Sequence, residues 1–442
     1  MSFPRYWNER LETMDPERLR EIQEIKLRKQ LDYLWERSPF YRRKLEVHGL
    51  KPWHVRTVAD LSTLPFTTKD DLRESQSAAP PLGEHEAAPL DRVIRIHASS
   101  GTTGRPSYVG ITYHDWEIWR EVVARVYWSE GVRPTSRVMM GFSIGFFVGG
   151  LPLHDAVEHI GAMFIPIGTG ASERLVMTAR DVKADILTCT PSYAAYLADY
   201  VRSKVGMDPR DLGFRRILCG AEPGGGVPAV RQRLEEAWGA VVTEGLGNAD
   251  LLPVYAAECE ERQGNHFLAG DYMFPELIDP ETGEPLAWED GAEGELVVSH
   301  LDRECVPLLR FRTRDHVIAW TRPCPCGRTG VRLRCIGRTD DMLILLGVNV
   351  FPSAIKDVVS SFRPRATGEI EIQLHQPGPK VEPPLAIRVE HGEGVTDLAV
   401  LKREIEESLR NRLVFQGDVQ LVPPGTLPRY EMKAQLIRKL YH

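Results

Sequence analysis

Residues 99–106 read Ser-Ser-Gly-Thr-Thr-Gly-Arg-Pro and follow a strand-like run over residues 92–97. Gly101 and Gly104 allow a tight turn and a close approach of the backbone to a ligand. Successive N–H groups in such a turn form a concave anion site, and hydroxyl groups beside them add hydrogen-bond donors. The pattern therefore predicts a phosphate-binding loop, with a polar surface turn as the alternative. The candidate residues are Ser99, Ser100, Gly101, Thr102, Thr103 and Gly104.

Cysteine and histidine residues form a second candidate site. Cys324 and Cys326 lie in a short knuckle-like turn, and Cys259 and His266 lie upstream of it. Three thiolates and one imidazole make a closed tetrahedral ligand set for zinc. We therefore predict a structural zinc ion that holds together a segment with few long elements. Buried free thiols are the alternative.

The length, composition and charge of the chain restrict its class. Its 442 residues exceed the usual size of one hydrophobic core, which predicts two or three domains. A hydrophobic content of 42% and a charged content of 26% are typical of globular proteins. The net charge of -7 gives no footprint for nucleic acid or for an anionic membrane. The N-terminus lacks a signal-like apolar core and no apolar run is long enough for a bilayer, so we expect a cytoplasmic protein.

Strand-like and amphipathic helical runs alternate from residue 92 to about residue 240. This alternation predicts parallel strands with crossover helices, which is the α/β class. An opening helix that Asp15 caps is predicted from Pro16 to about residue 38. The predicted strands of the alternating region lie at 138–140, 162–166, 186–189 and 216–219, and its predicted helices lie at 193–205 and 227–238.

The pattern changes after the last of these parallel strands. Short strands joined by turns predict an antiparallel, β-rich part over residues 251–336. A glycine-flanked polar joint at 337–341 then introduces a section that mixes strands with a helix at 397–412. We therefore expect a large N-terminal domain over residues 1–336, with mixed and parallel sheets, and a small α+β C-terminal lid domain over residues 337–442.

Several motifs occur in order along the chain: the loop at 99–106, the segment 220–223, the turn at 244–247, the segments 310–315 and 337–341, and the segment 427–433. In this order they resemble the adenylate-forming superfamily, and most closely its phenylacetate–CoA ligases. The resemblance covers essentially the whole chain. Several motifs in the correct order are more specific than any one of them.

Members of this superfamily join a carboxylic acid to CoA in two steps. The carboxylate attacks the α-phosphorus of ATP to give an acyl-adenylate and pyrophosphate, and the CoA thiol then displaces AMP. The resemblance implies that the loop at 99–104 holds the β- and γ-phosphates and that Lys433 bridges the carboxylate and the α-phosphate. A flexible ammonium group suits this transient role. A solvated lysine in a basic tail is the alternative.

The same resemblance gives roles to three polar residues. Asp315 matches the aspartate that accepts hydrogen bonds from the ribose hydroxyls, and Arg338 matches an arginine near ribose and phosphate. Asp340 matches the hinge about which the lid rotates between the two half-reactions. The alternatives are a carboxylate paired with the arginines of residues 310–314 for Asp315, and a solvated loop aspartate for Asp340.

The resemblance also implies a pocket for flat rings. Aromatic side chains in it would stack on an aryl acid, and a plain hydrophobic core is the alternative for the same phenylalanines. The predicted acyl-pocket residues are Phe142, Phe146, Phe147, Gly220 and Ala221. The further predicted nucleotide-binding residues are Ala221, Glu222, Pro223, Glu244 and Gly245.

The turn at 244–248 departs from the family pattern Tyr-Gly-x-Ser/Thr-Glu, because it reads Glu-Gly-Leu-Gly-Asn. The aromatic, hydroxyl and carboxylate side chains of the pattern are all replaced. Asn248 stands where the pattern has the glutamate that faces magnesium, and Asp250 follows two residues later. These two residues are the candidate magnesium ligands, and the departure leaves the magnesium geometry and the substrate class open.

Together these features predict an ATP-dependent ligase that activates an aryl or arylacetic acid, phenylacetate-like or indoleacetate-like, and transfers it to CoA. Its expected cofactors are ATP, CoA, Mg²⁺ and structural Zn²⁺. Its expected partners are a small aromatic carboxylic acid and, by analogy with the family, a second copy of the chain. One alternative is an adenylyltransferase that acts on a cofactor or an amine without CoA. Another is a non-catalytic ligand-binding homologue that lost magnesium binding through the changes at 244–248.

Overall fold

A computed structural model describes residues 3–99, 107–168, 170–339, 341–345, 348–376, 379–430 and 434–441, apart from the side chains of residues 348 and 349. Some predicted site residues lie outside the described residues: Ser100, Gly101, Thr102, Thr103, Gly104, Asp340 and Lys433.

The helices begin where the sequence offers caps. The Asp15 side chain accepts the N–H groups of Glu17 and Arg18 at the start of α2, and Asp397 caps α11 in the same way. The α-helices of the described residues are α1 (Glu9–Glu12), α2 (Pro16–Arg37), α3 (Pro39–Val47), α4 (Lys69–Ala78), α5 (Tyr113–Ser129), α6 (Leu151–Ile160), α7 (Ser172–Val182), α8 (Pro191–Tyr200), α9 (Pro228–Trp238), α10 (Pro352–Ser360) and α11 (Leu398–Leu413).

The predicted strands 186–189 and 216–219 coincide with β5 and β6, and other predicted strands differ by a few residues at their ends. The strands are β1 (Val93–Ala98), β2 (Tyr108–Thr112), β3 (Arg137–Met140), β4 (Met163–Ile165), β5 (Ile186–Cys189), β6 (Arg216–Cys219), β7 (Val241–Asn248), β8 (Leu252–Ala257), β9 (Asn265–Phe267), β10 (Met273–Ile278), β11 (Pro285–Leu286), β12 (Glu293–His300), β13 (Phe311–Trp320), β14 (Arg332–Arg338), β15 (Leu343–Leu345), β16 (Val348–Val350), β17 (Ala366–Leu374), β18 (Leu385–His391), β19 (Gly417–Val422) and β20 (Ile437–Lys439).

One 12-stranded sheet runs through the larger part of the molecule, in the order β11–β10–β12–β13–β14–β9–β8–β7–β6–β5–β3–β4. Strands β3 to β7 are parallel, whereas β7 to β14 are antiparallel. The predicted α/β and β-rich parts are therefore both present. They share one continuous sheet, because β7 pairs with β6 along its first half and with β8 along its second half.

Helices cover both faces of the parallel half of this sheet. Val138 and Met140 of β3 belong to a core shared with α5 and α6, whereas Met139 belongs to a core shared with α7, α8 and α9. Successive side chains of a strand point to opposite faces, which explains this division. Burial of both faces explains why these strands are apolar throughout.

A separate four-stranded sheet in the order β19–β18–β17–β20 forms the C-terminal part, and α10 and α11 pack on it. Its hydrophobic core contains residues from Leu343 onward. The expected α+β composition of this part is confirmed, and the boundary after residue 336 stays a prediction. In the described part of the chain, none of the helices combines the length and apolarity that crossing a membrane requires.

A buried carboxylic acid beneath the central sheet makes stability depend on pH. Glu130 follows α5, is 2% exposed, and accepts a hydrogen bond from the Thr243 hydroxyl of β7 at 2.8 Å. Burial raises the pKa of Glu130 to about 8, from an ordinary value of 4.5. The folded protein therefore holds a proton that the unfolded chain loses above that ordinary value. Its contribution to stability falls as the pH rises through this window.

In the wild type we expect the free energy of unfolding to fall from pH 5 to pH 8 as Glu130 loses its proton. In the Glu130→Gln variant this fall should be smaller, by on the order of a few kcal/mol, because the amide does not titrate. Urea denaturation at both pH values measures this difference. The exposed Glu281→Gln variant is the control and should keep the wild-type dependence. A Glu130→Gln dependence equal to that of the wild type would contradict the assignment.

Candidate active site

The parallel strands β3, β5, β6 and β7 all end at one edge of the central sheet, where α/β proteins commonly bind ligands. Backbone hydrogen bonds join the segments that leave this edge. The Gly141 N–H donates to the Thr188 carbonyl at 2.8 Å, and the Gly220 N–H donates to the Cys189 carbonyl at 3.3 Å. The predicted acyl-pocket segment after β3, the end of β5 and the loop after β6 therefore lie side by side.

The predicted phosphate loop connects β1 to β2, and its described ends are fixed to each other. The Ser99 N–H donates to the Ser107 carbonyl at 3.0 Å, and the two hydroxyl oxygens lie 3.0 Å apart. The loop therefore starts and finishes at adjacent points of an antiparallel strand pair. Its role in phosphate binding stays a prediction, because the residues between these ends lie outside the described part.

A partly buried ion pair supports the base of this loop. The Lys69 ammonium group pairs with Asp250 and donates a hydrogen bond to the Ser107 hydroxyl at 2.6 Å, and that hydroxyl donates to Asp250 Oδ1 at 2.8 Å. The Asn248 side-chain oxygen accepts the Asp250 N–H at 3.0 Å. Both Asp250 oxygens are thus engaged, and magnesium would compete with an ammonium group for them. The roles of Asn248 and Asp250 as magnesium ligands stay predictions.

Lys69 was not singled out in the sequence, because no motif surrounds it. Its partner Asp250 is 181 residues away along the chain. Lys69 is the first residue of α4, and the Thr68 side chain caps this helix by accepting the Asp71 N–H. A distant ion pair of this kind has no local sequence signal.

The predicted aromatic residues separate into two environments. The Phe146 carbonyl accepts the Ala98 N–H at 3.1 Å, directly before the phosphate loop, while its ring is 50% exposed and lies 5.9 Å from the Tyr108 ring. Phe142 is half-buried and packs against the main core, and Phe147 is half-buried. The core alternative is therefore wrong for Phe146. An acyl-binding role for the three rings stays a prediction.

The side chain of Glu244 points into the protein, where it supports the loop after β6. Its carboxylate accepts the Gly224 N–H at 3.2 Å, and it is 5% exposed. Burial raises the pKa of Glu244, and a Cβ at Gly226 would lie 2.4 Å from the Glu244 Oε2 atom. The glycines at 224 and 226 therefore fold around this carboxylate. Its predicted contact with the nucleotide stays a prediction.

The predicted turn at 244–247 is wrong, because these residues belong to β7 and the chain turns at 249–251. The glycine at 247 has a steric reason. A Cβ at Gly247 would lie 1.8 Å from the Pro253 carbonyl oxygen, because β7 and β8 approach closely at a register irregularity between Leu246 and Asn248. A serine or threonine at 247 would not fit without a backbone shift. The absent hydroxyl therefore follows from how this chain packs its hairpin.

Asp315 and Arg338 occupy opposite positions on β13 and β14 and form an ion pair of 3.3 Å. Asp315 is 7% exposed. The neighbouring arginines pair elsewhere, Arg310 with Glu276 and Arg312 with Glu295. The alternative that Asp315 is a surface carboxylate paired with these arginines is therefore wrong. The two predicted nucleotide residues lie together, and their roles toward ribose and phosphate stay predictions.

The segment before Lys433 is fixed by a buried carboxylate. Glu390 of β18 pairs with Arg429 and accepts the Leu427 N–H at 3.0 Å. Burial acts to raise the pKa of Glu390, and the hydrogen bonds from Arg429 and Leu427 outweigh it, so the pKa is lowered. The predicted motif at 427–433 thus begins at an anchored position.

The C-terminal part contacts the large part near these residues. Helix α10 packs against α9 and β14, and the Phe351 ring lies 5.0 Å from the His316 ring. The Ala434 N–H, directly after Lys433, donates to Glu222 Oε2 at 2.6 Å. Ala434, which follows the predicted lysine in the sequence, therefore lies at the loop after β6.

The four predicted zinc ligands come together in the β-rich part. The ligand atoms of Cys259, His266, Cys324 and Cys326 all lie within 4.8 Å of one another, and all four residues are buried. The Sγ atoms of Cys259 and Cys324 lie 3.7 Å apart, and Cys326 Sγ lies 3.4 Å from His266 Nε2. A tetrahedron with zinc–sulfur bonds of about 2.3 Å has edges of about 3.8 Å, so this donor set fits zinc.

This cluster also holds the N-terminal segment. The Tyr6 hydroxyl donates to the Cys326 carbonyl at 2.8 Å, and Arg328 forms an ion pair of 2.8 Å with Glu12 of α1, both residues being buried. Zinc at these four side chains would fix the knuckle at 324–326 and thereby the contact with α1.

Comparison with known proteins places the chain in a family. The family model described as AMP-binding enzyme matches residues 41–301. The family model described as AMP-binding enzyme C-terminal domain matches residues 347–439. This chain belongs to the AMP-binding enzyme family. The phenylacetate-coenzyme A ligase of Thermus thermophilus is 38% identical over 95% of this chain and 96% of its own length. That of Escherichia coli is 34% identical over 96% and 95%. The predicted resemblance is confirmed.

Solved structures agree with the fold and distinguish two domain arrangements. A 2-hydroxyisobutyryl-CoA ligase in the postadenylation state with 2-HIB-AMP has a TM-score of 0.92, 31% identity, and 99% and 93% coverage of the two chains. In the thioesterification state with 2-HIB-AMP and CoA the TM-score is 0.74, with 32% identity and the same coverage. This AMP-binding enzyme is therefore described in an arrangement similar to the postadenylation one.

We expect about one equivalent of zinc in the purified protein by elemental analysis, because the donor set is closed and buried. The Cys324→Ser variant should lose the metal and melt at a lower temperature. The Cys335→Ser variant, which changes a thiol outside the cluster, should retain it. A fully folded wild type without metal would leave buried free thiols as the explanation.

Proposed function

We propose that this AMP-binding enzyme activates an aryl or arylacetic acid and transfers it to CoA. Its broader reaction class, an ATP-dependent acid–CoA ligase that works through an acyl-adenylate, agrees with the sequence prediction and with its relatives. The observation that carries the choice of acid is the hydrogen bond between Phe146 and Ala98. This bond joins the aromatic-rich loop to β1, the strand that precedes the phosphate loop. An aromatic acid bound at the aromatic-rich loop would therefore face a phosphate bound at the phosphate loop.

The proposed roles follow from the charge of the reactants. An acid anion and a triphosphate repel each other, so positive charge and N–H groups must offset their charge as pyrophosphate leaves. We assign the phosphates to the loop at 99–104, the bridging cation to Lys433 and the ribose to Asp315. Arg338 forms an ion pair with Asp315 and is assigned to the ribose and the phosphate. The small residues Gly220, Ala221 and Pro223 are assigned to the adenine and acyl rings.

A lid rotation separates the two proposed half-reactions. We assign the lid to residues 337–442 and its hinge to Asp340, and the separate core from Leu343 onward supports this division. ATP brings magnesium with its phosphates, as such complexes usually do. A cytoplasmic location and a homodimer stay predictions.

A screen of carboxylic acids for AMP release, with and without CoA, tests the proposed function. We expect release only when an acid, ATP and CoA are all present, and the fastest turnover with phenylacetate or indoleacetate. A preference for 2-hydroxyisobutyrate would contradict the choice of an aromatic acid. CoA-independent turnover of an amine would favour the adenylyltransferase, and no turnover across the panel would favour the non-catalytic homologue.

We expect Lys433→Ala to abolish acid-dependent exchange of pyrophosphate into ATP, because the bridging cation is lost. Thioester formation from supplied phenylacetyl-adenylate and CoA should remain close to the wild-type rate. The exposed Lys439→Ala variant, in the same C-terminal segment, is the control and should affect neither step. Equal loss of both half-reactions in Lys433→Ala would contradict the assigned role.

A further inference from the structure

The carboxylate of Glu222 joins two parts of the molecule that the reaction must move apart. Its Oε1 atom accepts the Ser192 N–H at 2.8 Å, in the first turn of α8. Its Oε2 atom accepts the Ala434 N–H at 2.6 Å. We call these three residues the Glu222 bridge. One side chain thus fastens the residue after Lys433 to the large domain.

The backbone around Glu222 is shaped for this position. Ala221 has a φ of 69°, in the left-handed region that non-glycine residues seldom adopt. This turn follows β6 and brings the next side chain over the N-terminus of α8. The helix end offers N–H groups without intrahelical partners, and a carboxylate is favourable there. The inner half of the bridge is therefore stable whatever the lid does.

The outer half of the bridge depends on the position of the lid. Ala434 belongs to the C-terminal part, which in the described arrangement matches the postadenylation state far better than the thioesterification state of a related ligase. Rotation of the lid must break the hydrogen bond between Glu222 and Ala434. The bond thus exists in the arrangement that brings the Lys433 segment to the large domain.

We propose that Glu222 is a positioning residue for adenylation, which holds the Lys433 segment against the large domain through the Ala434 N–H and releases it for thioester formation. The inference rests on the proposed function. Because the bond favours one lid position only, its loss should affect the first half-reaction and spare the second.

The Glu222→Gln variant tests this. The glutamine has one acceptor oxygen, so it cannot accept both N–H groups, and its amide group would face a donor. We expect acid-dependent pyrophosphate exchange to fall about tenfold to a hundredfold, which corresponds to one hydrogen bond to a charged acceptor. Thioester formation from supplied phenylacetyl-adenylate and CoA should stay within about twofold of the wild type. The ratio of the two rates, measured in one preparation, is independent of the fraction that has folded.

Thr190→Ala is the matched control. The Thr190 hydroxyl caps the same helix by accepting the Tyr193 N–H, and among the described residues it makes no hydrogen bond with the lid. It weakens the same helix end, so it should leave the ratio of the two rates unchanged.

The outcomes separate this inference from the proposed function. A wild type that exchanges pyrophosphate, with an unchanged ratio in Glu222→Gln, overturns the positioning role alone. If the ratio of pyrophosphate exchange to thioester formation falls as much in Thr190→Ala as in Glu222→Gln, the effect comes from the helix end. This result also overturns the positioning role. A wild type with no exchange for any acid in the screen overturns the proposed function, and the positioning role with it.

Discussion

Strand β7 takes part in two hydrogen-bonding patterns, and the site is built around that change. Residues 241–244 pair in parallel with β6, and the residues from Gly245 pair antiparallel with β8. Parallel strands need helical crossovers, whereas antiparallel strands are continued by short turns. The change within one strand therefore joins the helix-covered half of the sheet to the β-rich half. Glu244 stands at the change point, and its carboxylate turns inward to the glycines of the neighbouring loop.

This packing explains why residues 244–248 depart from the family pattern. Gly247 faces the Pro253 carbonyl so closely that a side chain would need the hairpin to open. The Glu244 carboxylate accepts hydrogen bonds from backbone N–H groups, and the Asp250 carboxylate pairs with Lys69 and accepts a hydrogen bond from Ser107. The segment 244–248 therefore serves as internal support in this chain, and the stabilisation of a bound triphosphate by the loop at 99–104 and by Lys433 stays a prediction. A carboxylate beside the triphosphate would add repulsion unless a metal offset it.

Local patterns of the sequence predicted the elements well, and pairings between distant elements were beyond them. Alternation and caps located β5, β6 and α11, because these signals lie within a few residues. The three cysteines and the histidine of the predicted zinc site were also found to lie together, and they could be singled out because few side chains can bind zinc. Lys69, the partner of Asp250, could not be predicted, because it lies 181 residues away along the chain. The half-exposed ring of Phe146 was equally hidden, since exposure depends on how the loop lies against β1.

The proposed mechanism requires a lid that is held firmly enough for adenylation and loosely enough to rotate. A two-state lid responds strongly when the two arrangements differ by only a few kcal/mol. A hydrogen bond from a backbone N–H to a carboxylate contributes about 1.5 to 3 kcal/mol, which lies within this range. A buried ion pair in the same place would cost more to break, because separation would leave a charge without a partner. The firm ion pair between Glu390 and Arg429 lies within the C-terminal part and travels with it. The contact across the domains at Ala434 is a single N–H on a carboxylate that keeps its other partner. Near the predicted lysine the strong ion pair thus lies within the proposed lid, and the weaker hydrogen bond joins it to the large part, which agrees with the proposed rotation.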